Sequence, residues 1–138
     1  MKPFTDLDAA AAFHGHLGPN LIIGIKMGNH AIGVLQPENC FKLQTEVHCP
    51  ARPPVSCIID GLQLSTGCTM GKKSIEHVVS DGPVKVIVTN TSTQKSIAMQ
   101  VADGFIEKAV AWMSEVGEVE ASKRTWDADD EQVFTVVK

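Results

Sequence analysis

The sequence predicts an α+β fold, a mostly antiparallel sheet of about five strands packed with two to four helices. Three observations carry this prediction. The run at 20–35 is apolar on nearly every side, which predicts one buried central helix. Segments of alternating apolar and polar residues, the first of them at 41–49, predict half-exposed strands. Short turn-forming segments between the later strands predict hairpins, which pair strands antiparallel.

The N-terminal part is predicted to form two helices separated by a turn. Residues 6–13 predict a short amphipathic helix, because alanines favour a helix and an acidic residue can cap it. Pro19 suits the first position of the second helix, where its missing N–H costs nothing. In that helix, Gly24 and Gly28 lie one turn apart on one face. We expect them to pack tightly on the sheet, and a dimer contact is the alternative.

The rest of the chain alternates strands and helices. A helix is predicted to begin at Pro53 or Pro54 and to end near Gly67. The later segments are predicted strands at 75–79, 84–90 and 97–101, a helix at 104–116, a polar mobile segment at 118–131, and an apolar segment at 134–137 that forms an edge strand or packs on a partner. A length of 138 residues suits one domain spanning 1–138.

Composition and charge narrow the class of protein. The chain is 43% apolar and 20% charged, which is globular composition. A net charge of −4 argues against a nucleic-acid partner, because reading a phosphate backbone needs a basic face. We find neither a membrane span nor an export signal, so we expect no membrane partner and a cytoplasmic location. The four cysteines are then predicted to be thiols.

The stretch FHGHLGPN at 13–20 contains the first candidate site. His14 and His16 directly precede the predicted start of a helix, where free N–H groups and partial positive charge favour neutral imidazole and bound anions. Neutral imidazole is the form that binds metal ions. Gly15 allows a turn that brings both side chains to one ion. We interpret both histidines as metal ligands, with a simple hydrogen bond to a backbone carbonyl as the alternative for either.

Cys57 and Cys68 form the second candidate pair. Ten residues separate them, so no local zinc knuckle exists and a site must be assembled from distant parts. A His/Cys set of two to four ligands suits zinc or another divalent transition metal. Cys57 could equally be a buried helix residue. Cys68 is harder to assign to the core, and a loop thiol beside Lys72 suits a ligand or a nucleophile.

Other polar residues are weaker candidates. The loop at 67–73 lacks the spacing of a Walker phosphate loop, although a looser anion nest is compatible with it. Asp60 shares a helix face with Cys57 and could orient a ligand histidine, or it could be a solvated carboxylate. Cys49 is predicted to be a core residue and His77 a surface strand residue, as is the similarly placed His48.

Three motifs resemble the family of the formylmethanofuran dehydrogenase E subunit: FHGHxxP at 13–19, CxxDGxQ at 57–63 and TGCTxGK at 66–72. The resemblance covers roughly residues 4–102. It implies an α+β core, a homodimer and a metal-binding pocket. The main ligands that it implies are His16, Cys57 and Cys68, and the residues implied around them are His14, Asp60, Gln63, Thr69 and Lys72.

Two departures from the family pattern bear on the site. The family usually has a cysteine at the position of Gly18, so the glycine implies an open ligand position, a substitute such as Cys49, or loss of tight metal binding. No cysteine follows Cys68, so we do not expect the C-terminal zinc-finger extension that some relatives carry.

The sequence therefore predicts a metal-binding accessory protein, with zinc as the expected metal. Its expected role is beside a molybdenum or tungsten oxidoreductase, as a possible partner subunit, or in metal handling. The alternative is a free-standing metal- or thiolate-dependent enzyme that acts on a small substrate, with Cys68, Lys72 and His14 as candidate catalytic residues. A structural subunit with a vestigial site is the third possibility.

Overall fold

A computed structural model describes residues 1–138 and confirms the α+β class. It has six helices where the sequence predicts two to four. The helices are α1 (Leu7–His14), α2 (Pro19–Leu35), α3 (Ile58–Thr66), α4 (Phe105–Val116), α5 (Glu118–Asp127) and α6 (Asp130–Val133). The strands are β1 (Leu43–Cys49), β2 (Ile75–Val79), β3 (Lys85–Asn90), β4 (Lys95–Val101) and β5 (Phe134–Val137).

The five strands form one mixed sheet in the order β2-β1-β3-β4-β5. Only the β1–β2 pair is parallel, because α3 crosses over between these strands, and the other pairs are antiparallel as predicted. On β1 the predicted alternation holds from Leu43 to Cys49. Phe41 departs from it, because it lies in a 3-10 turn before the strand and is 74% exposed.

Helix α2 runs through the middle of the protein, as its composition predicts. Thirteen of its 17 residues are buried, so both of its sides have packing partners. Ile23 and Met27 join the main core with the sheet. On the other side, Leu21 and Ile25 form a second cluster, against which Trp126 packs. No helix of the protein, α2 included, is long and apolar enough to cross a membrane.

The glycines of α2 pack against α3, so the predicted contact with the sheet is wrong. A Cβ added at Gly24 would collide with the carbonyl oxygen of Ile58, and one at Gly61 would collide with that of Leu21. A Cβ at Gly28 would meet the side chain of Ser65. The two backbones are therefore in direct contact, which fixes how the N-terminal ends of α2 and α3 lie relative to each other.

The segment predicted to be mobile forms α5 and α6, so that prediction is also wrong. Lys26, a buried residue of α2, donates to the carbonyl oxygen of Trp126 at 2.8 Å and to that of Ala128 at 2.5 Å. Its Nζ also lies 3.5 Å from Asp130 Oδ1. A cation at the C-terminal end of α5 complements the helix dipole and holds the helix on α2. This tertiary contact does not follow from the polar composition of the segment.

Candidate functional site

A small cleft opens where the turn between α1 and α2 meets the start of α3 and the last turn of α4. It encloses about 30 Å³, which is room for one water-sized or ion-sized guest. Nine residues line it: His14, His16, Gly18, Pro19, Asn20, Leu21, Pro54, Cys57 and Met113. Three of the predicted metal ligands, the two histidines and Cys57, thus meet at one site.

The turn between α1 and α2 delivers the two histidines to this cleft. Gly15 ends α1 with a left-handed conformation at φ 110°, and its N–H donates to Ala11 O at 2.7 Å. Gly18 then precedes α2 in extended conformation, and its position carries no side chain to cap the helix. The N-terminal end of α2 therefore faces the cleft without a capping side chain.

His14 is held by a carboxylate on α3. Its Nδ1 lies 2.6 Å from Asp60 Oδ2, and its side chain is only 11% exposed. Because an ionised carboxylate can only accept, Nδ1 carries the hydrogen and donates it. The Nε2 atom of His14 is left without a hydrogen-bond partner. The sequence-based interpretation of Asp60 as the residue that orients a histidine agrees with this contact.

His16 lies at the rim of the cleft. Its Nδ1 lies 3.1 Å from Leu17 O and 3.1 Å from Glu118 Oε2, and its side chain is 54% exposed. The centroids of the His14 and His16 rings are 5.0 Å apart. The hydrogen bond of His16 is thus the one to a backbone carbonyl that the sequence analysis kept as the alternative to a ligand role, and Glu118 adds only an exposed ion-pair contact. His14 alone has the carboxylate-held Nδ1 that is typical of metal-binding histidines.

Glu118 is a site residue that the sequence reasoning missed, because its segment was expected to be mobile. The signal for a helix was nevertheless present. Glu120 and Arg124 stand four residues apart as a favourable ion pair, and the segment from 118 to 127 contains neither glycine nor proline.

Cys57 lines the cleft directly before α3 and is half-buried. Burial raises the pKa of its thiol, the charge of Asp60 raises it further, and a backbone hydrogen bond at Cys57 partly opposes both. The thiol is therefore protonated at neutral pH in the metal-free protein. A bound cation is the kind of partner that converts such a thiol into a thiolate, because metal coordination favours the charged form.

Cys68 and Lys72 do not reach the cleft. Cys68 is fully buried in the main core, where Thr45 Oγ1 donates to its Sγ at 3.2 Å. The sequence made Cys68 hard to assign to the core, but it is a core residue, because Gly67, in left-handed conformation at φ 74°, turns the chain back towards the sheet. Lys72 is exposed, with Nζ 5.6 Å from the centroid of the Phe41 ring. Roles for Cys68 and Lys72 stay predictions.

The third motif is connected to the cleft only through hydrogen bonds. Gln63 Nε2 donates to Asp60 Oδ1 at 3.3 Å, and the N–H of Met70 donates to Gln63 Oε1 at 3.2 Å. Thr69, also in this loop, accepts from the N–H of Lys72 at 3.3 Å. The loop at 67–73 therefore supports Asp60 from behind, and Asp60 in turn supports His14.

Cys49 is not a substitute for a cysteine at position 18. It is fully buried at the end of β1, as predicted, and does not line the cleft. Its Sγ lies 3.4 Å from His77 Nε2, which is also 3.0 Å from Cys49 O. Burial raises the pKa of Cys49 to about 11. This pair is separate from the cleft.

Asn20 is an unexpected polar residue among those that line the cleft. The residue is only 3% exposed, and its Oδ1 is the one buried side-chain N or O atom in the protein without a hydrogen-bond partner. The sequence reasoning counted Asn20 within an apolar helix. The available signal was a single amide directly after Pro19, at the start of an otherwise apolar run.

The cleft brings together side chains of the types that bind divalent transition ions, His14, His16 and Cys57. No three His, Cys, Asp or Glu side chains stand together in the arrangement that a metal ion requires. Ligation therefore requires at least one side chain to turn, and His16 at the exposed rim is the one most free to do so.

Fold and cleft together define a small α+β domain with two histidines at a helix N-terminus, one of them held by a carboxylate. The chain belongs to the FmdE family: the family model described as "FmdE, Molybdenum formylmethanofuran dehydrogenase operon" matches residues 13–137. The resemblance seen in the three motifs is thereby confirmed and extends to the last strand. No curated protein gives a significant match.

Proposed function

We propose that this protein is a zinc-binding accessory protein that works with a molybdenum or tungsten oxidoreductase of the formylmethanofuran dehydrogenase type. One observation carries the metal-binding part. Asp60 holds Nδ1 of His14 and leaves its Nε2 free, and His14 lines one small cleft together with His16 and Cys57. The association with the oxidoreductase is supported by the family description.

Zinc is the metal that this donor set suits best. Imidazole and thiolate are its usual ligands, and zinc accepts irregular geometry without a ligand-field penalty. His14 is already oriented by Asp60, so little freedom is lost when it binds. His16 needs to turn its exposed ring towards the cleft. When bound, the ion supplies charge that stabilises the Cys57 thiolate and orders the rim.

We further propose a cytoplasmic homodimer or a complex with an oxidoreductase subunit. Three large apolar side chains on the outer surface support this proposal: Phe41, Met70 and Val79 are 74%, 64% and 66% exposed. A partner that covers them would remove this apolar surface from water. Sedimentation at several protein concentrations distinguishes a dimer from a monomer. Co-purification with the oxidoreductase from cells that contain both tests the complex.

Metal quantification tests the metal-binding proposal. The protein is purified from zinc-supplemented cells, and bound metal is measured for wild type, His14→Ala, His16→Ala and Cys57→Ser. We expect about one zinc per chain in wild type and at least tenfold weaker binding in the variants, because each loses a ligand. Cys68→Ser is the matched control, since it removes a buried thiol outside the cleft.

Two outcomes would change the assignment. Stoichiometric metal that survives all three cleft substitutions would show that the ion binds elsewhere. Loss of metal in Cys68→Ser alone, with a thermal midpoint equal to that of wild type, would instead restore Cys68 as a ligand.

The second candidate function is a free-standing enzyme. The contact of 2.6 Å between His14 and Asp60 favours it, because a carboxylate that holds Nδ1 prepares Nε2 to accept a proton from a substrate. Of the candidate catalytic residues, only His14 lines the cleft. Turnover of a small substrate that His14→Gln abolishes while zinc binding persists would favour the enzyme over the accessory protein.

A further inference from the structure

A larger cavity opens beside Asp60, outside the cleft that the histidines line. It encloses about 280 Å³ between α3, the loop at 67–73 and β2. This volume is close to the lower end of the range for small-molecule sites, so the cavity has room for a compact organic ligand, whereas the cleft of about 30 Å³ does not. Six residues line the cavity: Ile59, Asp60, Gln63, Met70, Ile75 and His77.

Two of the polar groups in this cavity are fixed by hydrogen bonds within the protein. Asp60 Oδ2 lies 2.6 Å from His14 Nδ1, and Asp60 Oδ1 accepts from Gln63 Nε2 at 3.3 Å. The amide of Gln63 is held in turn, because its Oε1 accepts from the N–H of Met70 at 3.2 Å. A carboxylate that is already oriented loses little freedom when a ligand binds to it.

His77 presents an acceptor that the protein does not use. Its Nε2 lies 3.0 Å from Cys49 O, and a carbonyl oxygen can only accept, so in the neutral imidazole Nε2 carries the hydrogen and Nδ1 is an acceptor. Asn20 Oδ1 is the one buried side-chain N or O atom without a hydrogen-bond partner. The unpaired Nδ1 of His77 is therefore not a buried atom, and a guest in the cavity can donate to it.

The charge of the cavity favours a cation. Neither lysine nor arginine lines it, so the carboxylate of Asp60 determines its charge. The Asp60 side chain is 37% exposed, and each of its oxygens has a second lone pair beyond the one that His14 or Gln63 uses. Two carboxylate oxygens side by side match the parallel N–H groups of an amidinium or guanidinium ion. An anion would instead meet like charge.

The remaining lining is apolar and suits a flat, apolar body. Ile59 and Ile75 supply aliphatic surface, and the thioether of Met70 is a favourable contact for an aromatic ring. Met70 is 64% exposed in the free protein, so a ligand that covers it also removes apolar surface from water.

We infer that this cavity binds a small organic cation with an amidinium- or guanidinium-type head, which pairs with Asp60 and donates to His77 Nδ1. The site does not depend on the proposed metal binding. Asp60 nevertheless serves both places, because its carboxylate also orients His14. A guest that donates to this carboxylate competes with His14 for it, so occupation of the cavity is felt at the cleft.

Three molecules of the same shape test the charge preference. Benzamidine is cationic, benzamide is neutral and benzoate is anionic, while the ring is common to all three. Each is titrated into the metal-free protein at pH 7.5 and followed by calorimetry. We expect saturable binding of benzamidine, roughly tenfold weaker binding of benzamide and no detectable binding of benzoate.

Two substitutions test the location, each with a matched control. Asp60→Asn should weaken benzamidine binding roughly tenfold, whereas Asp81→Asn, at an exposed carboxylate that pairs with Arg52, should not change it. Met70→Ala should weaken binding roughly threefold, whereas Val79→Ala, at a similarly exposed residue outside the cavity, should not. Because Met70 is exposed, its variant tests the site even where Asp60→Asn disturbs the fold.

The imidazole of His14 reports the coupling between the cavity and the cleft. Its side-chain ¹⁵N resonances are assigned by their loss in His14→Gln. Benzamidine should shift these resonances in the metal-free wild type, because it draws on the carboxylate that holds Nδ1. Cys57→Ser should bind benzamidine as tightly as wild type, since Cys57 lines the cleft and not the cavity.

The outcomes separate this inference from the proposed function. Absence of saturable benzamidine binding would overturn the site, and equal binding of benzoate would overturn the cationic class. Unchanged benzamidine affinity in both Asp60→Asn and Met70→Ala would show that the molecule binds elsewhere. Unshifted His14 resonances at saturation would overturn the coupling. Benzamidine binding by a protein that takes up no zinc would leave this inference standing and would overturn the metal-binding proposal alone.

Discussion

His14 Nδ1 lies 2.6 Å from Asp60 Oδ2, although 46 positions separate these residues in the sequence. The contact joins the first sequence motif to the second. Gln63 and the backbone of Met70 extend it to the third. The three motifs are thus one connected hydrogen-bonded unit, even though only the first two line the cleft.

The first prediction concerns Asp60. In Asp60→Asn the charge is lost while the shape is kept, so His14 is oriented less firmly and its Nε2 becomes a weaker ligand. We expect zinc affinity to fall by about 10- to 100-fold, measured by chelator competition. Asp81→Asn is the matched control, because that carboxylate pairs only with Arg52 at an exposed surface. Equal affinities in the two variants would contradict the role of Asp60.

The second prediction concerns Gly18 on its own. Gly18→Cys should fold normally, because the residue has extended backbone at φ −152° and space for a Cβ. It should bind zinc at least tenfold more tightly than wild type and release it more slowly, because it adds a thiolate ligand beside the His16 ring. Gly33→Cys, which adds an exposed thiol on the same helix, serves as the control. An unchanged release rate would show that position 18 does not face the ion.

The third prediction concerns the contact between α2 and α3. An alanine at Gly24 or Gly61 meets backbone atoms of the other helix, which cannot move aside as a flexible side chain could. We expect each substitution to lower the free energy of unfolding by about 3 kcal/mol in urea denaturation. Gly33→Ala has no neighbour within 4 Å of its Cβ and should stabilise the protein by about 0.5 kcal/mol. Loss of stability in all three would indicate that the effect is not steric.

The fourth prediction concerns pH. Burial raises the pKa of Cys49 from 9.0 to about 11, so the folded protein keeps a proton that the unfolded chain releases between those values. The contribution of this thiol to the free energy of unfolding is complete below pH 9. It is lost as the pH rises towards 11, which lowers the free energy of unfolding by up to about 2.5 kcal/mol.

The comparison with Cys49→Ala isolates this effect. Urea denaturation at several pH values should show wild type losing more stability between pH 9 and 11 than the variant does, whatever their difference at pH 8. Parallel stability curves through that range would refute the assignment to Cys49.

The features predicted correctly are those that a local pattern determines. The run at 20–35, apolar on nearly every side, predicted the buried helix α2. The alternation of apolar and polar residues predicted which face of β1 is buried. The burial of Cys68 was not predictable from the sequence. The conformation of Gly67 turns Cys68 inward, and the composition of the loop does not determine that conformation. The contact of Glu118 with His16 was not predictable, because the position of α5 on the protein depends on tertiary contacts such as those of Lys26, a buried residue of α2.

Part of the site was predictable because the composition of a motif is also a local pattern. Motif composition identified His14, His16 and Cys57, which do meet at one cleft. The sequence shows a single amide directly after Pro19, but it does not show that Asn20 Oδ1 is unpaired, because that is a property of three-dimensional packing. The family resemblance rests on the motif positions, and Asn20 lies outside the three motifs.

The backbone contact between Gly24 and Gly61 also bears on the proposed metal site. Helices that touch through their main chains cannot come closer together. The distance between the cleft residues at the start of α2 and Cys57, directly before α3, therefore has a lower limit. At the proposed site, an ion too small for this gap cannot draw the two helix ends together, so we expect metal affinity to depend on ionic radius as well as on donor type.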